Sequence, residues 1–180
     1  MSSYKSNSIE LAILDIDGVM TDGRKFYNTD GMPFSKVYCD KDFTAIKRLR
    51  AAGIKVCFLS GDETVNAAMA KNRNIDFYYA RGKDKVLFLP DLCIKYNTRP
   101  ADVLYIGDDL FDMNILQAVG YSFCPSDSPR IIKEICGANV LPRRGGENVI
   151  TEMVDVLLER NLITDSTLEA IEELDKLEKF

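Results

Sequence analysis

Three short apolar runs, Ile9–Leu14, Ile54–Leu59 and Val103–Ile106, each stop at a polar turn: Asp15-Ile16-Asp17-Gly18, Ser60-Gly61 and Gly107-Asp108-Asp109. An apolar run of this length bounded by turn residues reads as a buried strand. Helical patterns fill the intervals. Asp40–Ala52 spaces Phe43, Ile46 and Leu49 by three and stops at Gly53, and Glu63–Asn74 and Leu110–Val119 have helical composition. Lys83–Tyr96 does too, with Pro90 predicting a kink or a restart. Short strands are expected at Asp76–Tyr79, at Tyr121–Phe123 and near Val140, and helices at Ser128–Ile135 and Glu147–Leu158. Strands alternating with helices predict an α/β domain built on a parallel sheet. Lys25–Asn28 and Pro33–Tyr38 flank Thr29-Asp30-Gly31, so a β-hairpin is expected within 24–38, inserted after the first strand. Residues 1–160 then form the domain. Residues 161–180, with Leu162, Leu168, Ile171, Leu174 and Leu177, form an acidic amphipathic tail helix.

The charge is uneven. The segment 161–180 carries six acids against two lysines, nearly all of the formal −5 of the chain. A near-neutral body with an acidic tail argues against nucleic-acid binding, which needs a basic patch. No apolar stretch approaches the roughly 20 residues that span a bilayer, and the polar start, Met1–Glu10, lacks the apolar run of a signal peptide. Five widely spaced cysteines (Cys39, Cys57, Cys93, Cys124, Cys136) without a C-x-x-C pair read as packing residues in a reducing cytoplasm. There is no histidine. That removes Ser-His-Asp and Cys-His catalysis and His-ligated zinc together, leaving carboxylates, lysine, hydroxyls and a hard metal.

Those groups converge at the strand ends. Side chains two apart share one side of a strand, so Asp15 and Asp17 can reach one site as the chain turns at Gly18. Ligands of open α/β sheets bind beyond the carboxyl ends of the strands, where Ser60-Gly61 and Asp108-Asp109 also lie. Lys85, near a helix start, can supply a compensating charge. Clustered carboxylates repel one another, and a divalent cation removes that conflict. With only oxygen ligands, Mg²⁺ fits best. The set suits phosphoryl transfer, where stabilising the phosphoryl oxygens dominates catalysis.

Asp15-Ile16-Asp17-Gly18-Val19-Met20-Thr21-Asp22-Gly23, Ser60-Gly61, Lys85 and Gly107-Asp108-Asp109-Leu110-Phe111-Asp112, in this order and spacing, resemble the four signature motifs of the haloacid dehalogenase superfamily. The resemblance covers about residues 9–160. It is to the capless branch that dephosphorylates 3-deoxy-ulosonic acid phosphates, the octulosonate 8-phosphates and the sialic-acid-type nonulosonate 9-phosphates. The extended Asp17-Gly18-Val19-Met20-Thr21-Asp22-Gly23, the hairpin that follows and Arg144-Gly145-Gly146 before the last helix are its specific tokens. The resemblance implies an open, Rossmann-like, mostly parallel sheet without a cap domain. It implies Asp15 as nucleophile, forming an aspartyl phosphate, and Asp17 as general acid and base. Ser60, Gly61 and Lys85 would hold the phosphate. Mg²⁺ would sit on Asp15, the backbone carbonyl of Asp17, and Asp108, supported by Asp109 and Asp112, with Asp109 expected on Lys85 or on a metal-bound water. It also implies a homotetramer built around the hairpin, with a carboxyl-terminal segment approaching an adjacent site.

Other readings of these residues exist. A calcium loop would need an acid at Val19 and a glycine at Met20. A receiver-type phospho-acceptor domain would carry its acidic pair on the first strand, whereas Asp108-Asp109 comes late. A noncatalytic partner domain, or a phosphatase for another small ester, shares the same motifs. Singly, Ser60 reads as a helix cap, Lys85 as a solvated charge, and Arg143 and Arg144 either as a solvated loop or as a clamp on a substrate carboxylate. Two positions depart from the octulosonate pattern. Asp62 replaces the arginine that usually follows Ser-Gly, and Asp42-Phe43 replaces Asp-Gly. An aspartate at 62 repels carboxylate and accepts from hydroxyls or an amide N–H, and in the resembled branch an acidic residue here goes with the nine-carbon substrates, which leans towards a nonulosonate 9-phosphate; alternatively it caps the following helix.

Overall fold

The computed structural model describes residues 8–179; most of the polar amino-terminal start and Phe180 lie outside these residues. In chain order the elements are β1 (Leu11–Leu14), β2 (Phe26–Tyr27), β3 (Pro33–Ser35), α1 (Asp40–Ala51), β4 (Lys55–Ser60), α2 (Thr64–Asn72) and β5 (Asp76–Tyr79). They continue with α3 (Leu89–Tyr96), β6 (Val103–Ile106), α4 (Met113–Ala118), β7 (Tyr121–Phe123), α5 (Arg130–Cys136), α6 (Val149–Glu159) and α7 (Leu168–Asp175). The five-stranded sheet runs β5-β4-β1-β6-β7 with every pairing parallel, and β2 and β3 form a separate antiparallel hairpin.

Alternation along each strand divides the core in two. Ala12, Leu14, Val56, Phe58, Leu104 and Ile106 pack on one face against Phe43, Ile46 and Leu49 of α1 and Ile150, Met153 and Leu157 of α6. Leu11, Ile13, Cys57, Leu59, Val103 and Tyr105 face the other layer, with Leu92 of α3, Ile115 of α4 and Ile132 of α5. Burial on both faces is why these strands read as continuous apolar runs. Cys57, Cys93, Cys124 and Cys136 are buried and all five cysteines are unpaired. No helix among the described residues is long and apolar enough to cross a membrane.

Most element expectations hold, with local differences. The helix expected over 83–96 is a 3-10 turn, Lys85–Phe88, followed by α3 with Pro90 in its first turn. A proline is tolerated there because that N–H has no intrahelical acceptor. The helix expected over 110–119 likewise opens as a 3-10 turn, Leu110–Asp112. The strand expected near Val140 is only an isolated bridge to Cys124. The tail forms α7 against α1, with Ile171 and Leu174 half-buried and no residue of the helix fully buried. Ion pairs add to this contact. Lys47 pairs with Asp175 and, at 3.1 Å, with Glu178, and Arg73 reaches Glu178 at 2.5 Å.

Candidate active site

The order β4-β1-β6 sets the carboxyl ends of three motif-bearing strands side by side. In register, Leu14 of β1 lies between Phe58 and Ile106, so Asp15, Ser60 and the 107–109 turn leave the sheet at one edge. The Asp15 N–H donates to Ile106 O at 3.0 Å, holding β1 and β6 together to this last residue. The chain then turns on Ile16, whose carbonyl accepts from the N–H groups of Val19, Met20 and Thr21. Gly18 has φ +83°, and a Cβ there would lie 2.0 Å from Asp108 Oδ2. Both conditions demand glycine: a left-handed backbone and a neighbouring carboxylate pressed against it.

Beneath this turn lies a closed charge network. Lys85 Nζ is 2.6 Å from Asp15 Oδ2 and 2.6 Å from Asp112 Oδ1. Tyr105 Oη donates to the same Asp112 oxygen at 2.6 Å, and the N–H groups of Asp108 and Asp109 donate to Asp112 Oδ2 at 3.0 Å. Asp112, fully buried, is therefore saturated. Of the two places expected for Asp109, on Lys85 or on a metal-bound water, the first is corrected: Asp112 meets Lys85. Asp109 is exposed and caps its own 3-10 turn, its Oδ1 accepting from Leu110 N at 2.7 Å, and a carboxylate bound to its own backbone is not free to reach inward.

Carboxylate oxygens of Asp15, Asp108 and Asp112 lie within 4.8 Å of one another. Three carboxylates share one ammonium, and the excess charge shows in their proton affinities. Burial, with Asp112 adding to it and Lys85 opposing, pushes Asp15 up to about 7. Burial together with Asp15 and Asp112 pushes Asp108 up to about 8. Lys85 is raised although burial works against its charge, because Asp15 and Asp112 outweigh that cost. An all-oxygen cluster with uncompensated negative charge fits a hard divalent cation. Since the oxygens of Asp112 are already engaged, Asp15 and Asp108 are the carboxylates left to hold one.

Asp17 sits in a second network that the motifs did not reveal. Its Oδ2 accepts from Lys36 Nζ at 2.9 Å and from Asn66 Nδ2 at 3.2 Å, and Lys25 approaches at 3.3 Å. Asn66 Nδ2 also donates to Ser60 Oγ at 3.0 Å. Lys25, Lys36 and Asn66 were not singled out, because a lysine in a hairpin reads as solvated. The available signal was Asn66 itself, an amide on the inner side of α2 six residues beyond Ser60. Asp62 accepts from Thr64 N and Oγ1 at 3.2 and 2.9 Å, capping the entry to α2. Its other oxygen takes Lys25 at 2.9 Å and Lys36 at 2.8 Å. Burial opposes its ionisation, but Lys36 and Lys25 hold it well below the usual carboxylate range.

The arginines separate. Arg143 pairs with Glu152 of α6 at 3.0 Å, whereas Arg144 leans on Asp127 at 3.5 Å. Arg144 also lines a cavity of about 300 Å³ with Asp22, Arg24, Asp127 and Glu147. Between them and the catalytic turn, Gly146 N donates to Val19 O at 2.8 Å, and a Cβ on Gly145 would lie 1.9 Å from Gly18 O. The glycine pair thus lets the 143–147 loop brace the turn that carries Asp17.

Residues 62–142 match a family model described as haloacid dehalogenase-like hydrolase. The chain is 31% identical over 156 residues to the 3-deoxy-D-manno-octulosonate 8-phosphate phosphatase of Haemophilus influenzae, covering 86% of each protein. It is 30% identical over 159 residues to the Escherichia coli protein of the same name, covering 86% of this chain and 81% of that one. The cobalt-bound structure of the Haemophilus influenzae phosphatase superposes with a TM-score of 0.79 at 31% identity, over 84% of this chain and 88% of that chain.

Proposed function

Since the chain belongs to the haloacid dehalogenase-like hydrolases, in the branch of the 3-deoxy-D-manno-octulosonate 8-phosphate phosphatases, and is a phosphatase, we propose that it hydrolyses a 3-deoxy-ulosonic acid phosphate through an aspartyl-phosphate intermediate on Asp15. The observation that carries this reading is the Asp15–Lys85–Asp112 network beside Asp108, with Asp17 two residues from Asp15 on the turn above it.

A carboxylate oxygen of Asp15 bonds to phosphorus while the bond to the sugar oxygen breaks, and the Asp17 carboxyl gives its proton to that oxygen. The Asp17 carboxylate then takes a proton from water. The water oxygen bonds to phosphorus, and the bond to Asp15 breaks, releasing phosphate and restoring both groups. The Ser60 hydroxyl, the Gly61 N–H and Lys85 hold the phosphoryl oxygens. Asp15, Asp108 and the backbone carbonyl of Asp17 would hold Mg²⁺, which when bound offsets the charge of those oxygens. The five unpaired cysteines favour a cytoplasmic location for this chemistry.

Kinship favours the 8-phosphate as substrate. Asp62 favours a second reading, a nonulosonate 9-phosphate, because it replaces an arginine and is paired with the hairpin lysines beside Asp17. The discriminating measurement is kcat/KM for the two esters in wild type and Asp62→Arg. The 8-phosphate reading expects wild type to prefer the 8-phosphate. Preference for the 9-phosphate, with a reversal in the variant, installs the second reading, and hydrolysis of neither with Mg²⁺ present overturns both in favour of a noncatalytic domain or another ester.

Neither the 18–59 nor the 61–84 interval holds a domain of its own that would cover the site. The hairpin instead exposes Phe26, Tyr27, Met32, Phe34 and Val37, each between 51% and 67% accessible. A clustered apolar surface of this kind suits a protein partner, and the occupant we propose is a second copy, giving a homotetramer around residues 24–38. Light scattering on the eluting protein is expected to give four copies per particle, and fewer for Phe34→Glu. A fully active wild-type monomer removes the proposal.

A further inference from the structure

We infer that Lys36 and Asn66 are positioning residues that aim Asp17 at the leaving group, an inference that rests on the reading of Asp17 as general acid and base. Lys36 follows β3 directly, and its side chain has no solvent exposure. Its ammonium donates to Asp17 Oδ2 at 2.9 Å and to Asn66 Oδ1 at 2.8 Å, and forms an ion pair with Asp62 at 2.8 Å. Asn66, fully buried, makes four hydrogen bonds, the most its amide ordinarily makes. Oδ1 accepts from Lys36 Nζ and Tyr38 Oη at 2.8 Å, and Nδ2 donates to Asp17 Oδ2 and Ser60 Oγ.

This arrangement leaves the amide no alternative. An ammonium cannot accept a hydrogen bond, so Lys36 fixes Oδ1 on its own side and thereby turns Nδ2 towards Asp17 and Ser60. Two consequences reach the chemistry. With Asn66 donating to Ser60 Oγ, the Ser60 O–H is released to donate to a phosphoryl oxygen. At Asp17, Lys36 and Asn66 converge on Oδ2, and Lys36 Nζ also lies 2.7 Å from the buried Oδ1. These contacts fix the orientation of the carboxyl, and that orientation is what a proton transfer to the leaving oxygen requires. Lys25 and Lys36 bring two ammonium groups to the two carboxyl groups of Asp17 and Asp62.

A merely structural network would lower every activity alike, and leaving-group dependence separates the two cases. Nitrophenolate departs without a proton, whereas a sugar alkoxide needs one. With Mg²⁺ and the full chain, Asn66→Ala and Lys36→Met are expected to lower the first-step rate on 3-deoxy-D-manno-octulosonate 8-phosphate by about 10²-fold, the low end of general acid catalysis. The pre-steady-state burst of nitrophenol from p-nitrophenyl phosphate should stay within about tenfold of wild type by the same reasoning. Asp17→Asn serves as the reference. If it shows the split and the other variants lose both substrates equally, or neither, the inference is overturned. If Asp17→Asn itself shows no split, the reading of Asp17 fails first. Asn66→Ala removes no charge and carries the test alone should Lys36→Met fail to fold.

Discussion

Asp15→Asn is expected to abolish turnover, by a factor on the order of 10⁴ or more, since removing a nucleophile closes the covalent route. The fold should survive. The asparagine carbonyl can still accept from Lys85, Lys85 keeps Asp112, and the variant no longer carries a carboxylate that burial drives up to about 7. Phosphate release measured with Mg²⁺ and saturating substrate checks the first part, and a circular-dichroism melt the second. A folded variant with activity near that of wild type would exclude Asp15 as the nucleophile.

Lys85→Met is expected to be the most destabilising single change in the site. It strands two buried carboxylates, and breaking a buried pair from one side costs about 3–5 kcal/mol. For a chain of this size that lowers Tm by roughly 10 °C. The deficit should grow with pH. Asp15 and Asp108 have folded-state values raised to about 7 and about 8, above the ordinary 3.8. Between those limits the folded protein holds protons that the unfolded chain has released, so stability falls as pH rises through that window. Without Lys85 both values climb further, so the gap to wild type is small at pH 5 and large at pH 8. Mg²⁺ should narrow it at pH 8, because a cation replaces the lost charge. Melts at both pH values, with chelator and with Mg²⁺, measure this. Equal Tm values for variant and wild type in chelator at pH 8 would show that Lys85 does not compensate the cluster.

How much of this could be read in advance depended on chain distance. Asp15 and Asp17 were legible as candidates because they close the first apolar run at a turn marked by Gly18, whereas the structure ends β1 at Leu14 and gives Asp15 to Lys85 and Asp17 to Lys36 and Asn66. The element order, the hairpin and the Pro90 restart followed from apolar period and turn chemistry, which are local. Val140 shows the limit: its apolar character allowed a strand, but only a bridge to Cys124 formed. Asp109 and Asp112 show it more sharply. Three residues apart, both were expected as support and Asp109 as the one to meet Lys85, but the 3-10 turn binds Asp109 to its own backbone and sends Asp112 inward.

The chemical inventory was settled by sequence alone. With no histidine, acids at two strand ends and a hydroxyl at a third, carboxylate, hydroxyl and cation chemistry remained, because residue type limits what a site can do wherever it lies. Who touches whom was a tertiary decision. Lys36 and Asp17 are 19 residues apart, Asn66 and Asp17 49, Lys85 and Asp15 70. No period in the chain encodes such pairings, since each depends on where the hairpin, α2 and the Lys85–Phe88 turn come to rest on the sheet. A lysine that composition assigns to solvent was buried there because the packing of the hairpin on α2 brought two carboxylates and an amide to meet it, and only that convergence offsets the cost of burying its charge.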